Sequence, residues 1–392
     1  MRRHKLDRSE ALAAISMVAF ALSATAALGG SDACQLVQQF GLERFKSTSA
    51  VVEHCKAKSS GPFVERGLDD DKSAAHDEDV KERVEESYGS SSENPRSIYV
   101  EDDRLEADQI DAIPGDVKLD AVRRAVAATA ILSKKRNVKS KASEREILLE
   151  PYKIKQFPLG EVLLCEGERF REQQTGGFCT AFLVGPDIVA TAGHCVDFDD
   201  VDEQDASRNT FSVVFGFERR DGAFRSTVSA EEVFDVVHVR GLSKPGQNPP
   251  SADFALLQLD RPVPSNIAVP LRLAGAAGLS VKEGSRLALV GHPSGLPKKL
   301  SFNGMSVAME DGNATQFRAQ LNAFHGNSGS PVLFYDAPDV VAGILVNGQN
   351  DFLPDTKNDC VRPQVYLANG MCNGQRCSEG VTKSAVIEPY LP

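Results

Sequence analysis

From residue 178 onward, runs of four to seven residues rich in Val, Ile, Phe and Leu recur along the chain, separated by turn-forming Gly, Pro, Asn and Asp. The runs are Phe178 to Val184, Ile188 to Ala192, Phe211 to Phe217, Val233 to Val239, Phe254 to Leu259, Leu287 to Val290, Gln316 to Leu321, Pro331 to Tyr335 and Val340 to Val346. Short strands between turn signals close on themselves or stack; they do not wind around helices. Helices do not alternate with these runs, which excludes a doubly wound parallel sheet and with it the α/β-hydrolase route to a reactive serine. The expected fold is all-β. One helix is expected upstream, over Lys118 to Ser133, where Leu119, Val122, Val126 and Ala130 recur at three and four residues.

Charge and the N-terminus bound where such a chain works. Its 44 basic and 55 acidic residues leave a net charge of −11, the wrong sign for a nucleic-acid binder. Arg2, Arg3, Lys5 and Arg8 precede an uncharged stretch from residue 11 to 28, and Ala24 with Ala26 offers an A-x-A cleavage site. Residues 1–26 therefore read as a secretory signal peptide. No later segment has 18 uncharged apolar residues, so no stable membrane anchor is expected and the mature protein should be secreted or periplasmic. The eight cysteines suit a few disulfides in that setting.

Residues 27–96 read as a propeptide or disordered leader. They hold Cys34 and Cys55, then a segment dense in Asp and Glu (Glu65, Asp69, Asp70, Asp71, Asp77, Glu78, Asp79) and a Ser-rich run to Pro95, with too little apolar surface to order itself. The basic cluster Lys134, Lys135, Arg136, Lys139 and Lys141 reads as a solvated loop without function.

A nucleophilic serine needs a base in hydrogen-bond reach, a carboxylate that fixes the base's tautomer, and amide donors for the oxyanion. Gly326-Asn327-Ser328-Gly329-Ser330-Pro331 sets a serine between glycines, where missing Cβ atoms permit a tight turn with inward N–H groups. Ser328 is the candidate nucleophile. Thr191-Ala192-Gly193-His194-Cys195 puts a histidine at a strand end, and Asp253 opens the apolar run Phe254 to Leu259, an environment suited to an orienting carboxylate. Asp235 and Asp260 are its rivals. His238, His292 and His325 are not needed for this set, and His292 reads as structural. A zinc site is unsupported, because no His-x-x-x-His or paired Cys-x-x-Cys spacing occurs.

These segments, in the order His, Asp, Ser, resemble the chymotrypsin-like (trypsin-fold) serine peptidases. Gly291-His292-Pro293-Ser294-Gly295-Leu296-Pro297 and Ser97-Ile98-Tyr99-Val100-Glu101-Asp102-Asp103-Arg104, which is similar to a mature start, point to the bacterial glutamyl-endopeptidase-like branch. The resemblance covers residues 97–392 and implies two six-stranded antiparallel β-barrels. It implies that His194, Asp253 and Ser328 are catalytic, that the amides of Gly326 and Ser328 form the oxyanion hole, and that Cys179 and Cys195 pair. Cys165, Cys360, Cys372 and Cys377 are left with three possible connectivities. The bridge frequent beside the family's specificity pocket is missing, since Phe324 and His325 precede Gly326.

The walls of that pocket should come from Asn322, Ala323 and His325 on one side and Leu345 and Asn347 on the other. Neither wall carries an acid, so a neutral residue is expected before the scissile bond, with glutamate as the alternative through His325. The reading is a secreted, monomeric serine endopeptidase acting on protein or peptide substrates, made as a preproprotein and needing no cofactor or metal. Its rival is a catalytically silent exported binding module. Trypsin-like relatives pair a freshly cut N-terminal ammonium with an aspartate just before the serine. Here that position is Asn327, which has no charge to offer, so such a switch should not operate.

Overall fold

The computed structural model describes residues 97–113, 117–141, 143–156, 160–196, 211–224, 226–244, 252–309, 315–372 and 375–392. The expected signal peptide and pro-region, with Cys34 and Cys55, lie outside the described residues.

Six strands close the first barrel: β1 (Thr129–Lys134), β2 (Cys179–Gly185), β3 (Ile188–Thr191), β4 (Phe211–Val214), β5 (Val233–Ser243) and β6 (Phe254–Leu259). They run in the order β2-β3-β6-β5-β4-β1 and back to β2, every pair antiparallel. The second barrel is β7 (Arg286–Gly291), β8 (Lys299–Met309), β9 (Gln316–Gln320), β10 (Pro331–Phe334), β11 (Ala337–Asn347) and β12 (Glu379–Lys383). Its order is β11-β10-β7-β8-β9-β12, closed by pairing of β12 with β11 and again antiparallel throughout. Closure leaves no sheet edge within either barrel. Phe182, Phe211, Phe234 and Phe254 fill the first, and Leu287, Phe317, Val332 and Val381 the second.

The expected helix stops sooner than its periodicity suggests. It spans Leu119–Ala128, burying Val122, Ala125 and Val126 and exposing Arg123 and Arg124. Thr129 caps it with φ −95° and ψ 132°, and from there the chain is β1. Thr129-Ala-Ile-Leu is apolar on both faces, so it satisfies a strand buried between β2 and β4 as well as a helix face; the two ladders decide. The basic cluster is likewise not a loop. Val138–Lys141 pairs with Glu144–Ile147, setting Lys139 opposite Glu146 and Lys141 opposite Glu144, and these opposite charges favour the hairpin.

Strands β8 and β12 are absent from the sequence reading because Lys, Ser, Asn and Glu dilute them. In β8, Leu300, Phe302 and Gly304 are buried while Asn303 and Met305 are exposed. Lys298 and Lys299 at its start are buried with their charges paired, to Glu218 at 2.8 Å and Glu106 at 3.0 Å. Ahead of the barrels, Ser97–Tyr99 pairs in parallel with Gln364–Tyr366, and Leu105–Glu106 pairs with Lys299 and Leu300. Three disulfides tie the described chain, Cys165–Cys360, Cys179–Cys195 and Cys372–Cys377, which selects one of the open connectivities.

Candidate active site

Pairing of β3 with β6 brings the histidine and the aspartate together. Thr191 lies opposite Ala255, so the Ala192-Gly193-His194 turn leaving β3 passes over Asp253 at the start of β6. His194 Nδ1 stands 2.7 Å from Asp253 Oδ2, and the backbone N–H of His194 donates to Asp253 Oδ1 at 3.1 Å. Only glycine fits before the histidine, because a Cβ on Gly193 would collide with the Ser243 carbonyl and the Asp253 carboxylate. Asp253 is buried, at 3% exposure, and its backbone N–H and C=O both engage the Thr382 hydroxyl on β12, so the second barrel helps hold it. The Cys179–Cys195 bridge anchors the other side of the histidine turn to β2. Asp235 and Asp260 are elsewhere, Asp235 paired with Lys135 at 2.9 Å and Asp260 with Arg261 at 2.9 Å.

The serine turn is packed between the barrels. Thr180 on β2 donates its N–H to Ser328 O at 2.8 Å and its hydroxyl to Gly326 O at 2.9 Å. Gly329 N–H donates to Leu345 O at 2.7 Å, which sets the turn against β11. Gly326 and Gly329 adopt φ of +88° and +87°. A Cβ on Gly326 would sit 2.8 Å from Gly295 N and His292 O, and one on Gly329 would collide with the Thr180 carbonyl. Ser328 is half-buried and His194 likewise. Among the described residues, neither Gly326 N–H nor Ser328 N–H donates to a backbone acceptor. Asn327, at 2% exposure, accepts from Ser330 Oγ through Oδ1 at 3.4 Å, a neutral contact inside the turn.

His292 is buried and stacks on Phe217, its Nδ1 2.9 Å from Leu296 O; desolvation holds it well below the usual imidazole range. His238 is exposed. His325 is exposed, and partial desolvation, then the neighbouring His194, lowers its basicity. Its N–H donates to Asp351 Oδ2 at 2.6 Å and its C=O accepts from Ser294 N–H. A cavity of about 550 Å³ opens beside it, lined by Lys153, Ile154, Ser294, Asn350, Asp351 and Phe352.

Of the expected pocket walls, His325 and Asn347 reach the surface, whereas Asn322, Ala323 and Leu345 are buried. Asn322 holds the N-terminal segment: Oδ1 accepts Tyr99 N–H at 2.8 Å, and Nδ2 donates to Glu101 O and to Asp103 Oδ1. The sequence reading missed an acid behind the second wall. Glu379, at 6% exposure, fills the space a Gly348 side chain would need, and Tyr99 OH donates to it at 2.7 Å. Desolvation raises the Glu379 carboxyl to about 8 and pushes the Tyr99 phenol further above its ordinary range. The period of two from buried Val381 points to Glu379 as an inward residue, the one signal available in the sequence.

Groups of metal-ligating type among the described residues are Cys179, His194 and Cys195, and Cys165, Asp355 and Cys360. All four thiols are committed to disulfides and offer no thiolate.

Residues 179–344 match the family model of the trypsin-like peptidase domain. That match and the two closed six-stranded barrels give this part of the chain the trypsin-like fold that the resemblance implied. No curated protein matches it. Similar solved structures include a Glu endopeptidase in complex with MPD, at 14% identity and TM-score 0.40, covering 75% of this chain and 96% of that one. A scabies mite inactivated protease paralogue, S-I1, gives 16% and 0.37, with 68% and 93% covered. Human heparin binding protein gives 18% and 0.36, with 64% and 94% covered.

Proposed function

We propose that the protein is an exported serine endopeptidase that cleaves peptide bonds through an acyl-enzyme. The observation that carries this reading is the two-point hold of Asp253 on His194, at Nδ1 and at the backbone N–H. A carboxylate on Nδ1 fixes the proton there and leaves Nε2 as the basic nitrogen. Nε2 removes the Ser328 hydroxyl proton as Oγ bonds to the scissile carbonyl carbon. The Gly326 and Ser328 amides, which among the described residues donate to no backbone acceptor, receive the oxyanion. The imidazolium then protonates the leaving amine, and a water repeats the cycle to release the acid.

The same reading favours a neutral residue before the scissile bond, with glutamate through His325 as the alternative. Burial raises the Glu379 carboxyl to about 8, which favours its neutral form near pH 7, and a neutral acid behind Gly348 offers little to attract Arg or Lys. The three disulfides support maturation in an oxidising compartment. Among the described residues, no helix is long and apolar enough to cross a membrane. The test is fluorophosphonate labelling of the purified protein beside its Ser328→Ala variant. Labelling confined to the parent supports the reading, and no labelling of either overturns it.

A further inference from the structure

The Gly326 N–H can serve an oxyanion only while the His325–Gly326 peptide keeps one orientation. Glycine crosses between backbone regions at little cost, so the residue that permits the turn also permits the peptide to rotate out of it. Trypsin-like relatives restrain this turn through an ion pair at the residue before the serine, and Asn327 carries no charge for one. Something else must hold the peptide here.

We propose that Asp351 is a positioning residue that fixes the oxyanion hole by clamping His325. This inference rests on the peptidase reading above. His325 is gripped on both its polar backbone groups: N–H by Asp351 Oδ2 at 2.6 Å, C=O by Ser294 N–H. In a trans peptide, C=O and N–H point in opposite directions. Holding the His325 carbonyl on Ser294 therefore directs the Gly326 N–H to the other side. Rotation of that peptide breaks the Ser294 bond and drags on the Asp351 bond.

Both jaws are themselves fixed. Ser294 sits in the left-handed region at φ 53° and ψ 22°, and its Oγ accepts a hydrogen bond at 3.0 Å from Tyr152 OH, whose ring is buried at 3% exposure. Gly295 N–H donates to His292 O at 3.0 Å, tightening the same turn. On the other side, Asp351 O accepts Gln364 N–H at 2.8 Å, which ties the loop after β11 to the strand Cys360–Tyr366. Among the described residues the carboxylate's hydrogen bond goes to the amide that precedes the oxyanion donor.

The experiment compares Asp351→Ala and Asp351→Asn with the parent, in the full chain after maturation. Alanine removes the acceptor, whereas asparagine keeps a carbonyl oxygen in its place. Losing one oxyanion donor lowers kcat by about 10²- to 10³-fold, and a loosened donor should lie at or below that range. The expected result for Asp351→Ala is a fall in kcat of about 10- to 100-fold with KM within about twofold, and recovery in Asp351→Asn. A peptide boronate, which needs the hole, should bind Asp351→Ala more weakly by a similar factor, while the matching product peptide binds as before. Should Asp351→Ala fail to fold, Asp351→Ser, whose hydroxyl is too short to reach His325, serves in its place. Unchanged kcat, equal weakening of boronate and product, or an asparagine variant as poor as alanine overturns the clamp. A parent protein that fluorophosphonate does not label defeats the peptidase reading instead.

Discussion

Asp253 grips His194 at two points, Oδ2 on the ring Nδ1 at 2.7 Å and Oδ1 on the backbone N–H at 3.1 Å. The two bonds do different work. The backbone contact places the turn and the ring contact sets the tautomer. Asp253→Asn keeps the size and presents an amide that can still accept the backbone N–H, yet cannot favour the same ring tautomer. The expected outcome is a fall in kcat of about 10⁴-fold with a folded protein, read by peptide hydrolysis beside a thermal melt. Near-normal turnover in Asp253→Asn would show that Asp253 does not set the tautomer.

Ser328→Ala and His194→Ala should each cost about 10⁴-fold or more, and the double variant little beyond either one, because the pair acts as a unit. Rates on a neutral peptide substrate check this. Additive losses would mean that the two residues do not share a step.

The disulfides should separate stability from activity. Cys179–Cys195 spans 16 residues and holds the histidine turn, whereas Cys165–Cys360 spans 195 and lies in the segments flanking the barrels. In the chain-entropy model the shorter loop is worth about 3 kcal/mol and the longer about 5 kcal/mol. Replacing Cys165 and Cys360 by Ala should lower Tm more, and replacing Cys179 and Cys195 should lower kcat more. Paired melting curves and rates decide it, and the reverse order in either would contradict the assignment.

How much of this was legible follows from distance along the chain. His194, Asp253 and Ser328 each sit in a short segment whose glycines and apolar neighbours announce a turn or a strand end. Barrel closure follows from strand spacing, although β1 hid inside a helical period and β8 and β12 behind their polar residues. The supports were not legible. Tyr99 reaches Glu379 across 280 positions, and Asp351 acts on a backbone amide, which leaves no trace in the side chain of its partner. Arg104, Lys298 and Lys299 look like surface charges in the sequence, yet each is buried because a carboxylate from a remote segment or turn meets it. Pairings of that kind exist only once the fold has formed.

Glu379 gives the stability a pH dependence of defined sign. Its carboxyl titrates at about 8 when folded against an ordinary 4.5, so the folded state holds the proton more tightly than the unfolded chain. The group's stabilising share is complete below pH 4.5 and is lost as pH rises toward 8. Glu379→Gln is neutral at every pH and escapes this loss. The difference in Tm between variant and parent should therefore grow in favour of the variant from pH 5 to pH 9. Lys299, lowered to about 8 by burial, titrates in both proteins and cancels in the difference. A pH-independent difference would show that Glu379 is ionised in the fold throughout.

The N-terminal segment supplies the last test. Tyr99 is buried between Asn322 and Glu379, while Asn327 offers no countercharge for a terminal ammonium. The segment should thus act through its side chains and not through a free terminus. Proteins beginning at Ser97, or two or three residues earlier, are expected to match in kcat/KM and in labelling rate. One beginning at Glu101 loses Tyr99, leaves the buried Glu379 without its phenol donor, and frees Asn322 Oδ1. An unpaired buried polar group costs about 1–3 kcal/mol, enough to lower kcat/KM by about tenfold where it adjoins the proposed pocket. Tyr99→Phe in the Ser97 protein should show a smaller part of that loss, since the ring and the backbone bond to Asn322 survive. Activity confined to a single N-terminus among the longer forms would show that a terminal ammonium matters after all.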